Sequence, residues 1–369
     1  MVLNNVNYIT IPEGKVKYVS YNGLKVWERA HIYGVSWNKT NTATMTRTDD
    51  ASGFSSPVIG VGTTNGSSPF DNCYPWNSIK VVMMDSNELV AIPKFWYKWT
   101  NTTNSLQLQI ADKPVHGFKV SPMHADRGDG KGERDVCYIG RYKSVYDYRS
   151  RPSSAPVTSI TIGTARSSIK NLGTGYYQQD YASFWTIRML FLVEWATWDS
   201  QSVMQNTANY ADNASIRTGN VTSMTYHTGI SANGYSVQYR YIEDMYENTL
   251  EWLDGIYLNG SQLYCINNPN NLSSSSNGVN IGTISTDTGY IKTWSIPTVS
   301  GYEWALYPAT VNSSVSYIQD GYYYTGTGTV AYIGGARNAW ELHGLFFMYC
   351  DFTSSSTSSV IGTRIMKLP

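Results

Sequence analysis

The densest group of residues that could perform acid–base chemistry lies in one acidic segment, residues 238–255. Its dense cluster of carboxylates is Glu243, Asp244, Glu247 and Glu251. Two carboxylates that face each other across a cleft can hydrolyse a glycosidic bond, one as the acid and the other as base or nucleophile. Spacing along the chain does not establish a shared cleft, so cleavage of a polysaccharide is kept as the alternative hypothesis.

The sequence contains no other recognisable catalytic or metal-binding motif. It has no Gly-x-Ser-x-Gly motif for a serine nucleophile, and its five histidines have no evident partners. The four cysteines are far apart and form no Cys-x-x-Cys pair, which argues against a zinc knuckle but leaves a disulfide open. The acidic residues 126–135 fail the register of an EF-hand and predict a solvated hairpin tip. We therefore predict no enzymatic activity, no cofactor and no metal ion.

Noncovalent recognition is indicated instead by the C-terminal residues 331–364. Tyrosine and tryptophan give large, rigid contact areas at low entropic cost, while asparagine and serine add adaptable hydrogen bonds. The stretch mixes such residues in an order that neither helical nor strand periodicity explains. The candidate ligand-binding residues are Arg337, Asn338, Trp340, Glu341, His343, Phe347, Tyr349, Asp351 and Phe352. The alternative is that Trp340, Phe347 and Phe352 are ordinary core aromatics, which their solvent exposure decides.

Glycine-containing and apolar motifs separate these candidates and have the character of a framework. They are Gly334-Gly335, Gly344-Leu345-Phe346 and, after a serine-rich turn, Ile361-Gly362-Thr363-Arg364. This pattern resembles the C-terminus of the C-type-lectin fold shared by formylglycine-generating-enzyme-like proteins and by the variable proteins of diversity-generating retroelements. The kin that it suggests are phage tail receptor-binding proteins of the major tropism determinant kind.

The resemblance implies binding without catalysis. In such proteins the residues between the framework glycines face solvent on the receptor-binding side, and this is what it implies for the nine candidates. The enzymes of the group carry two cysteines after the Gly-Gly pair to bind copper, but the comparable positions near Ala339 and Gly344 hold none. The calcium-dependent lectins carry Glu-Pro-Asn or Gln-Pro-Asp and Trp-Asn-Asp motifs, and these do not occur. We therefore expect metal-independent binding.

Two helices are predicted in the middle of the chain. Thr164 can cap a first helix that Gly173 ends. After Asp180, residues 181–198 contain no glycine or proline and are apolar on nearly every face, which predicts a buried helix that is the spine of the core. Within it we expect Glu194 to be a structural hydrogen-bond acceptor or arginine partner, although a general acid with a raised pKa is the alternative.

Strand patterns dominate the rest of the chain. Asn22-Gly23 between alternating apolar residues predicts a β-hairpin. The alternation over residues 94–99 predicts a half-buried strand. Three consecutive tyrosines at residues 322–324 are interpreted either as an extension of the binding face or as packed strand residues.

A second motif with family likeness lies in the acidic segment. Asn248, Glu251 and Trp252 match a signature of the resembled family, Gly-Asn-Val-Trp-Glu-Trp, but Glu247 stands where glycine is usual and Leu250 where tryptophan is usual. A positive φ at Glu247 would be strained, because only glycine adopts it freely. The local turn geometry is therefore the doubtful part of this match.

Composition limits the partners. Lys+Arg equals Asp+Glu at 27 each and only 15% of residues are charged, so there is no electrostatic footprint for nucleic acid or an anionic membrane. No run approaches the roughly 18 to 20 apolar residues of a membrane span, and the N-terminus shows no secretory signal. With a tyrosine-rich surface composition, this favours a virion component of a phage tail that is made in the host cytoplasm.

These patterns together predict an α+β fold, a C-type-lectin-like domain with two helices and irregular β-sheets. Residues 1–33 are expected to be an N-terminal β-hairpin segment for attachment to other tail proteins, and residues 34–369 the ligand-binding domain. The expected partner is a bacterial surface receptor, protein or glycan, and likeness to the kin implies a homotrimer. A bacterial surface ligand-binding protein is a further alternative.

Overall fold

The computed structural model describes residues 18–21, 24–39, 42–60, 64–204, 215–222, 228–230, 236–275, 277–313, 318–326, 328–336 and 343–369. Strand accounts for 37% of the structure and helix for 11%. The predicted α+β class is therefore wrong, and the fold is β-rich with two α-helices in its described part. The reason is that helical patterns are confined to two short segments, whereas strands along the rest of the described chain pair into six sheets.

The two helices are α1 (Ile162–Lys170) and α2 (Tyr181–Trp195). The strands, in chain order, are β1 (Tyr18–Tyr21), β2 (Leu24–Glu28), β3 (Ile32–Asn38), β4 (Thr46–Asp49), β5 (Lys80–Met84), β6 (Asn87–Pro93), β7 (Trp96–Asn101), β8 (Ser105–Ala111), β9 (Lys119–Val120), β10 (Val136–Gly140), β11 (Tyr176–Gln178), β12 (Thr228–Ile230), β13 (Gln238–Tyr239), β14 (Ile242–Glu243), β15 (Leu250–Leu253), β16 (Ile256–Asn259), β17 (Gln262–Cys265), β18 (Val279–Thr283), β19 (Gly289–Ser295), β20 (Tyr307–Asn312), β21 (Gly321–Tyr324), β22 (Val330–Ile333), β23 (Met348–Phe352), β24 (Ile361–Gly362) and β25 (Ile365–Lys367).

The largest sheet has seven strands in the order β20-β19-β21-β23-β22-β15-β24. Two five-stranded sheets have the orders β11-β25-β10-β6-β5 and β4-β3-β8-β7-β9, and smaller sheets join β12-β13-β14, β16-β17-β18 and β1-β2. Pairing is parallel between β21 and β23 and between β15 and β24. The seven-stranded sheet is thus mixed, and it carries most of the C-terminal candidates.

Helix α2 is buried over its whole length, which confirms the prediction of a core spine. Asp180 caps it by accepting a hydrogen bond from the backbone N–H of Ser183 at 2.9 Å, and Arg127 pairs with the same carboxylate. The helix ends at Trp195 rather than at residue 198, because Ala196 adopts a left-handed conformation with φ of 53°. Trp198 instead donates its backbone N–H to Ala43. The predicted end of this helix was three residues too late.

Helix α1 begins and ends earlier than predicted. Its cap is Thr161, whose hydroxyl accepts from the N–H of Thr164 at 3.0 Å, so Thr164 lies inside the helix. The helix ends at Lys170, and Gly173 follows in a turn with φ of 134°. Thr161, three residues before Thr164, is the N-cap because its side chain reaches the free N–H groups of the first turn.

Glu194 has the structural role that was predicted. Its carboxylate accepts hydrogen bonds from the hydroxyl of Tyr239 at 2.9 Å and from Nε of Arg240 at 3.0 Å. Arg240 also pairs with Asp71 at 3.0 Å. Through Tyr239, Arg240 and Asp71, this network connects α2 to β13 and to the segment before β5.

The loop of residues 126–135 is only partly the solvated tip that was predicted. Gly128 and Gly130 are exposed, but Arg127 and Arg134 are 2% and 5% exposed. Arg127 pairs with Asp180 and Arg134 with Asp129. The arginines are drawn inward because each finds a buried carboxylate, which an acidic and basic sequence alone did not reveal.

The predicted N-terminal hairpin is confirmed by the antiparallel pairing of β1 and β2. The predicted boundary after residue 33 falls inside β3, which begins at Ile32 in a five-stranded sheet. Arg29 donates to Asp50 at 2.9 Å, and the N–H of His31 donates to Asp112 at 2.9 Å. No helix in the described chain is long and apolar enough to cross a membrane.

Candidate functional site

One face of the seven-stranded sheet carries a row of tyrosines. In the strand register, Tyr323 of β21 and Tyr332 of β22 both lie beside Tyr349 of β23. The ring centroids of Tyr323 and Tyr349 are 5.2 Å apart, and those of Tyr332 and Tyr349 are 5.8 Å apart. Since successive residues of a strand point to opposite faces, Tyr322 and Tyr324 turn into the core and are buried.

A β-bulge adds Phe352 to this row. Val330 pairs with Phe352 and Tyr332 with Tyr349, so two residues of β23 face one residue of β22. The extra residue turns Phe352 to the same side as Tyr349, three positions away. Its ring lies 5.3 Å from that of Tyr332.

The aromatic face, as we call Tyr323, Tyr332, Tyr349 and Phe352 together, is held by fixed contacts. The hydroxyl of Tyr332 donates to Asp351 at 2.7 Å. On the same face, Trp252 of β15 is the register neighbour of Tyr332, with the ring centroids 5.8 Å apart, and it donates its indole N–H to the carbonyl of Ile160 at 2.9 Å. Tyr323, Tyr349 and Phe352 are half-buried, whereas Tyr332 is 5% exposed. The face is therefore a stiff, partly exposed surface.

His343 fixes one border of residues 337–342. The backbone N–H of Ala336 donates to Nδ1 of His343 at 2.9 Å, so the residues on either side of this segment are hydrogen-bonded to each other. Gly335 lies against the imidazole with φ of 71°, and a Cβ there would come within 2.1 Å of the His343 Cβ. Burial lowers the pKa of His343 to about 4, which keeps the imidazole neutral near pH 7.

Gly344 and Phe346, which follow His343, are held in place by the buried side chain of Asp320. Asp320 accepts from the N–H of Phe346 at 2.7 Å, and a Cβ on Gly344 would lie 2.1 Å from the Asp320 carboxylate. Leu345 donates its N–H to Ser200 at 2.9 Å. Burial raises the pKa of Asp320 to about 8, despite these backbone donors. The framework motif Gly344-Leu345-Phe346 is thus an anchor in which every N–H is engaged.

The structure brings four of the nine candidates together and leaves one buried. His343, Tyr349, Asp351 and Phe352 are half-buried and lie at the aromatic face or its border. Phe347 is 0% exposed, so the expectation that it faces solvent is wrong. Its ring is packed between His343 at 4.3 Å and Tyr349 at 4.2 Å, where it supports both. The remaining candidates, Arg337, Asn338, Trp340 and Glu341, lie outside the described residues.

The acidic cluster of the glycosidase alternative is sealed in the interior. Its four carboxylate residues are 9% exposed or less. Burial alone would raise the pKa of Glu251, but Arg364 and Lys143, each 2.8 Å away, hold it below its usual value. Burial and the neighbouring Asp244 raise the pKa of Glu243 to about 8. These groups serve a structural network in which Arg364, a framework residue, is the central cation.

The turn beside this network has the geometry that the sequence made doubtful. Glu247 and Asn248 have φ of 66° and 62°, and the N–H of Glu247 donates to the carbonyl of Gly334. The amide of Asn248 donates to Asp244 at 2.7 Å and to the carbonyl of Ile216 at 3.0 Å. A non-glycine residue is thus held in the left-handed region by tertiary contacts, which links this turn to the Gly334-Gly335 framework.

Metal-binding and disulfide chemistry have no support in the described chain. No group of three or more His, Cys, Asp or Glu side chains in it could hold a metal ion. All four cysteines lie in this part, and none forms a disulfide. Burial raises the pKa of Cys137 to about 12, so this thiol stays protonated.

Sequence reasoning missed Tyr332 and left Tyr323 undecided. In a strand, Tyr332 is expected to point to the opposite face from Ala331 and Ile333. In the structure Ala331 and Ile333 pack in the main core, whereas Tyr332 packs in a separate cluster. Nothing in the sequence marks the bulge in β23, because the same residues could pair in an unbroken register.

Comparison with known proteins gives no relative for this site. No protein-family model matches the chain, and no curated protein is significantly similar to it. The site must therefore be interpreted from its own geometry and chemistry.

Proposed function

We propose that this chain is a receptor-binding protein of a phage or prophage tail, and that its aromatic face, with the adjoining residues 337–342, binds a bacterial surface molecule. The observation that carries the proposal is the row of half-exposed rings on a stiff sheet, with Tyr323, Tyr349 and Phe352 on one side. Rigid tyrosines that are already ordered lose little entropy on binding, which favours recognition.

The border of residues 337–342 supports the same role. Ala336 and His343 are hydrogen-bonded to each other, and Gly344 is packed on Asp320, so the flanks of this segment are fixed by their own contacts. The segment itself contains Arg337, Asn338 and Trp340, residue types that are frequent in binding surfaces. A segment of changeable sequence on fixed flanks is the arrangement that the resemblance to retroelement variable proteins implies.

The remaining parts of the proposal concern assembly. The hairpin of β1 and β2 is assigned to attachment to other tail proteins. A homotrimer would place three aromatic faces at one fibre tip and raise the overall affinity by multivalency, since a single small face binds weakly. Sedimentation equilibrium of the full chain that shows only monomers would contradict the trimer while leaving the binding face untouched.

The binding face is tested with fluorescently labelled protein on a panel of whole bacterial cells. On a strain that binds, Tyr323→Ser with Tyr349→Ser should weaken binding at least tenfold, which corresponds to about 1.4 kcal/mol. The matched control is Tyr146→Ser, because Tyr146 is 74% exposed and lies elsewhere on the surface. Equal binding by all three proteins would refute the assigned face.

The segment of residues 337–342 is tested separately with Trp340→Ala on the same strain. A loss of binding with an unchanged melting temperature is expected, since a contact residue contributes to the complex and not to the fold. Unchanged binding would restrict the site to the aromatic face alone. Release of soluble sugars from the bound cells would instead support the polysaccharide-cleaving alternative.

A further inference from the structure

A groove lies beside strand β7, apart from the elements that carry the aromatic face. It has a volume of about 370 Å³. This is within the range of roughly 300 to 1,000 Å³ that small-ligand sites occupy. The side chains that matter for its chemistry are Tyr97, Trp99, Asn101, Lys119, Thr298 and Glu303.

The floor of this groove is aromatic and fixed. Trp99 follows Tyr97 in the alternation of β7 and is half-buried, with its ring centroid 6.4 Å from that of Trp185 in α2 at an angle of 89°. Trp185 is itself held by its indole N–H, which donates to the carbonyl of Leu306 at 3.0 Å. Trp99 Nε1 is buried and finds no acceptor among the described residues. The ring is thus positioned before any ligand arrives.

The opposite wall is a hydrogen-bonded loop of residues 296–306. The N–H of Tyr302 donates to Val299 at 3.0 Å, and the N–H of Ala305 donates to Tyr302 at 2.9 Å. Glu303 accepts from the N–H of Gly301 at 2.9 Å. These turns make the wall rigid, so a ligand need not order it on binding.

An ion pair joins the two walls. Nζ of Lys119 in β9 lies 2.6 Å from the carboxylate of Glu303, and the two side chains are 49% and 31% exposed. Burial alone would raise the pKa of Glu303, but Lys119 outweighs it and holds the pKa below its usual value. The groove therefore offers a cationic donor, an anionic acceptor and the Thr298 hydroxyl, which both donates and accepts. It also offers the amide N–H groups of Asn101, whose oxygen accepts from Nζ of Lys39 at 2.5 Å.

We propose that this groove binds a pyranose unit of a glycan, with the ring against Trp99 and its hydroxyl groups on Lys119, Glu303 and Asn101. A sugar hydroxyl both donates and accepts, which suits a lining of mixed donors and acceptors. The C–H face of a pyranose gains dispersion contacts with an indole ring. This site does not depend on the aromatic face, and either can exist without the other.

The test is saturation-transfer difference NMR of the full chain with maltotetraose, chitotetraose and tetragalacturonate at millimolar concentration. Transfer to at least one oligosaccharide is expected, and the acidic and neutral probes show whether the sugar carries a carboxylate. Trp99→Ala should abolish the transfer, whereas Tyr349→Ser should leave it unchanged, which separates this site from the aromatic face. No transfer to any probe, or equal transfer with Trp99→Ala, would overturn the proposal.

A second variant guards against loss of folding in Trp99→Ala. Thr298→Arg places a long side chain in the groove from an exposed position, so the fold is expected to survive while transfer falls at least fivefold. Its matched control is Thr46→Arg, an exposed threonine of β4 at the opposite edge of the same sheet. Transfer that survives Thr298→Arg, or binding of an alternating Thr-Val hexapeptide along β7 in place of sugars, would contradict a glycan site.

Discussion

At the scale of single residues, His343 has a structural role, because it holds Ala336 and Phe347 in place. It is a neutral acceptor for the N–H of Ala336 and a packing surface for Phe347. From the sequence alone this histidine was grouped with the ligand-binding candidates, because it lies between the framework motifs Gly334-Gly335 and Gly344-Leu345-Phe346, where the resemblance implies exposed residues. Its half-buried position is decided by tertiary packing.

His343 predicts a pH dependence of stability. Its pKa of about 4 in the folded chain lies below the usual 6.5, so the unfolded chain binds more protons between these values, and stability falls as pH drops from 6.5 towards 4. His343→Asn keeps an acceptor for Ala336 without a titrating group. Between pH 7 and pH 5, the melting temperature of His343→Asn should fall less than that of the parent chain. Differential scanning fluorimetry measures both changes.

The control for this experiment is His116→Asn, because His116 is exposed. It should show the same pH dependence as the parent chain. Other groups, such as Asp320 and His124, titrate in all three proteins alike and cancel in the comparison. An identical pH dependence in His343→Asn and the parent would contradict the assigned role of this imidazole.

Arg364 predicts a large stability effect from the buried network. It donates to Glu251 and to the backbone carbonyls of Gly140 and Glu243, at 2.7 to 2.9 Å. Arg364→Met leaves these acceptors without their main donor, and removal of one partner from a buried pair costs about 3 to 5 kcal/mol. Urea unfolding followed by fluorescence measures this loss.

The comparison variant is Arg149→Met. Arg149 pairs with Asp147 at 3.6 Å on the surface, where both side chains are 26% exposed, and such pairs contribute about 1 kcal/mol or less. A loss in Arg364→Met no greater than in Arg149→Met would mean that the network is not a determinant of the fold.

At the scale of elements, local patterns were predicted and their register was not. The all-round apolar sequence of α2, the alternation in β7 and the Asn22-Gly23 dipeptide between β1 and β2 were each sufficient to predict the element. The bulge in β23 and the pairing of β22 between β15 and β23 depend on long-range contacts, so no local pattern encodes them. The residues of the candidate site could therefore be predicted in part from the sequence, but their arrangement on the sheet could not.

Gly344 gives a prediction at this scale. Gly344→Ala places a Cβ 2.1 Å from the carboxylate of Asp320, a buried group that holds the N–H of Phe346. Displacing this carboxylate should destabilise the chain by roughly 1 to 3 kcal/mol. It should also weaken the proposed receptor binding, because it disturbs the residues that flank residues 337–342. Thermal unfolding and cell binding are measured on the same preparation.

Gly163→Ala is the matched substitution. Gly163 lies in α1, and the nearest atom to a Cβ there is the Thr161 hydroxyl at 3.8 Å. Alanine favours the helix by roughly 0.5 to 1 kcal/mol, so this variant should be as stable as the parent or more so. A Gly344→Ala variant that also keeps its stability would show that Asp320 can move without cost.

At the scale of the whole molecule, the β-rich fold replaces the predicted α+β class. Both five-stranded sheets and the seven-stranded sheet contribute to one core around α2, as Val35, Ile139 and Ile333 do. A core shared in this way favours a single cooperative unfolding transition for these sheets. Composition did not reveal this, because the tyrosines and tryptophans that suggested a surface are in large part the core itself.

The N-terminal hairpin is expected to contribute little to that transition. In the described chain β1 and β2 pair with each other and form a sheet of their own. Glu28 at the end of β2 is joined to the body by an ion pair with Lys113 at 3.4 Å, and because these side chains are 35% and 42% exposed, the pair contributes about 1 kcal/mol or less. Deletion of residues 1–28 should change the melting temperature by less than about 4 °C, the effect of roughly 1 kcal/mol in a chain of this size. A fall of 10 °C or more in calorimetry would mean that this segment packs on the body.

The hydrogen bond between Ala336 and His343 has a consequence for how this chain can change over generations. Because the junctions on both sides of residues 337–342 are secured by contacts of their own, replacement of these six side chains should hardly alter the folding equilibrium. A randomised library over these positions would then consist largely of well-folded members. Selection could search it for binding to new bacterial strains without first screening for solubility.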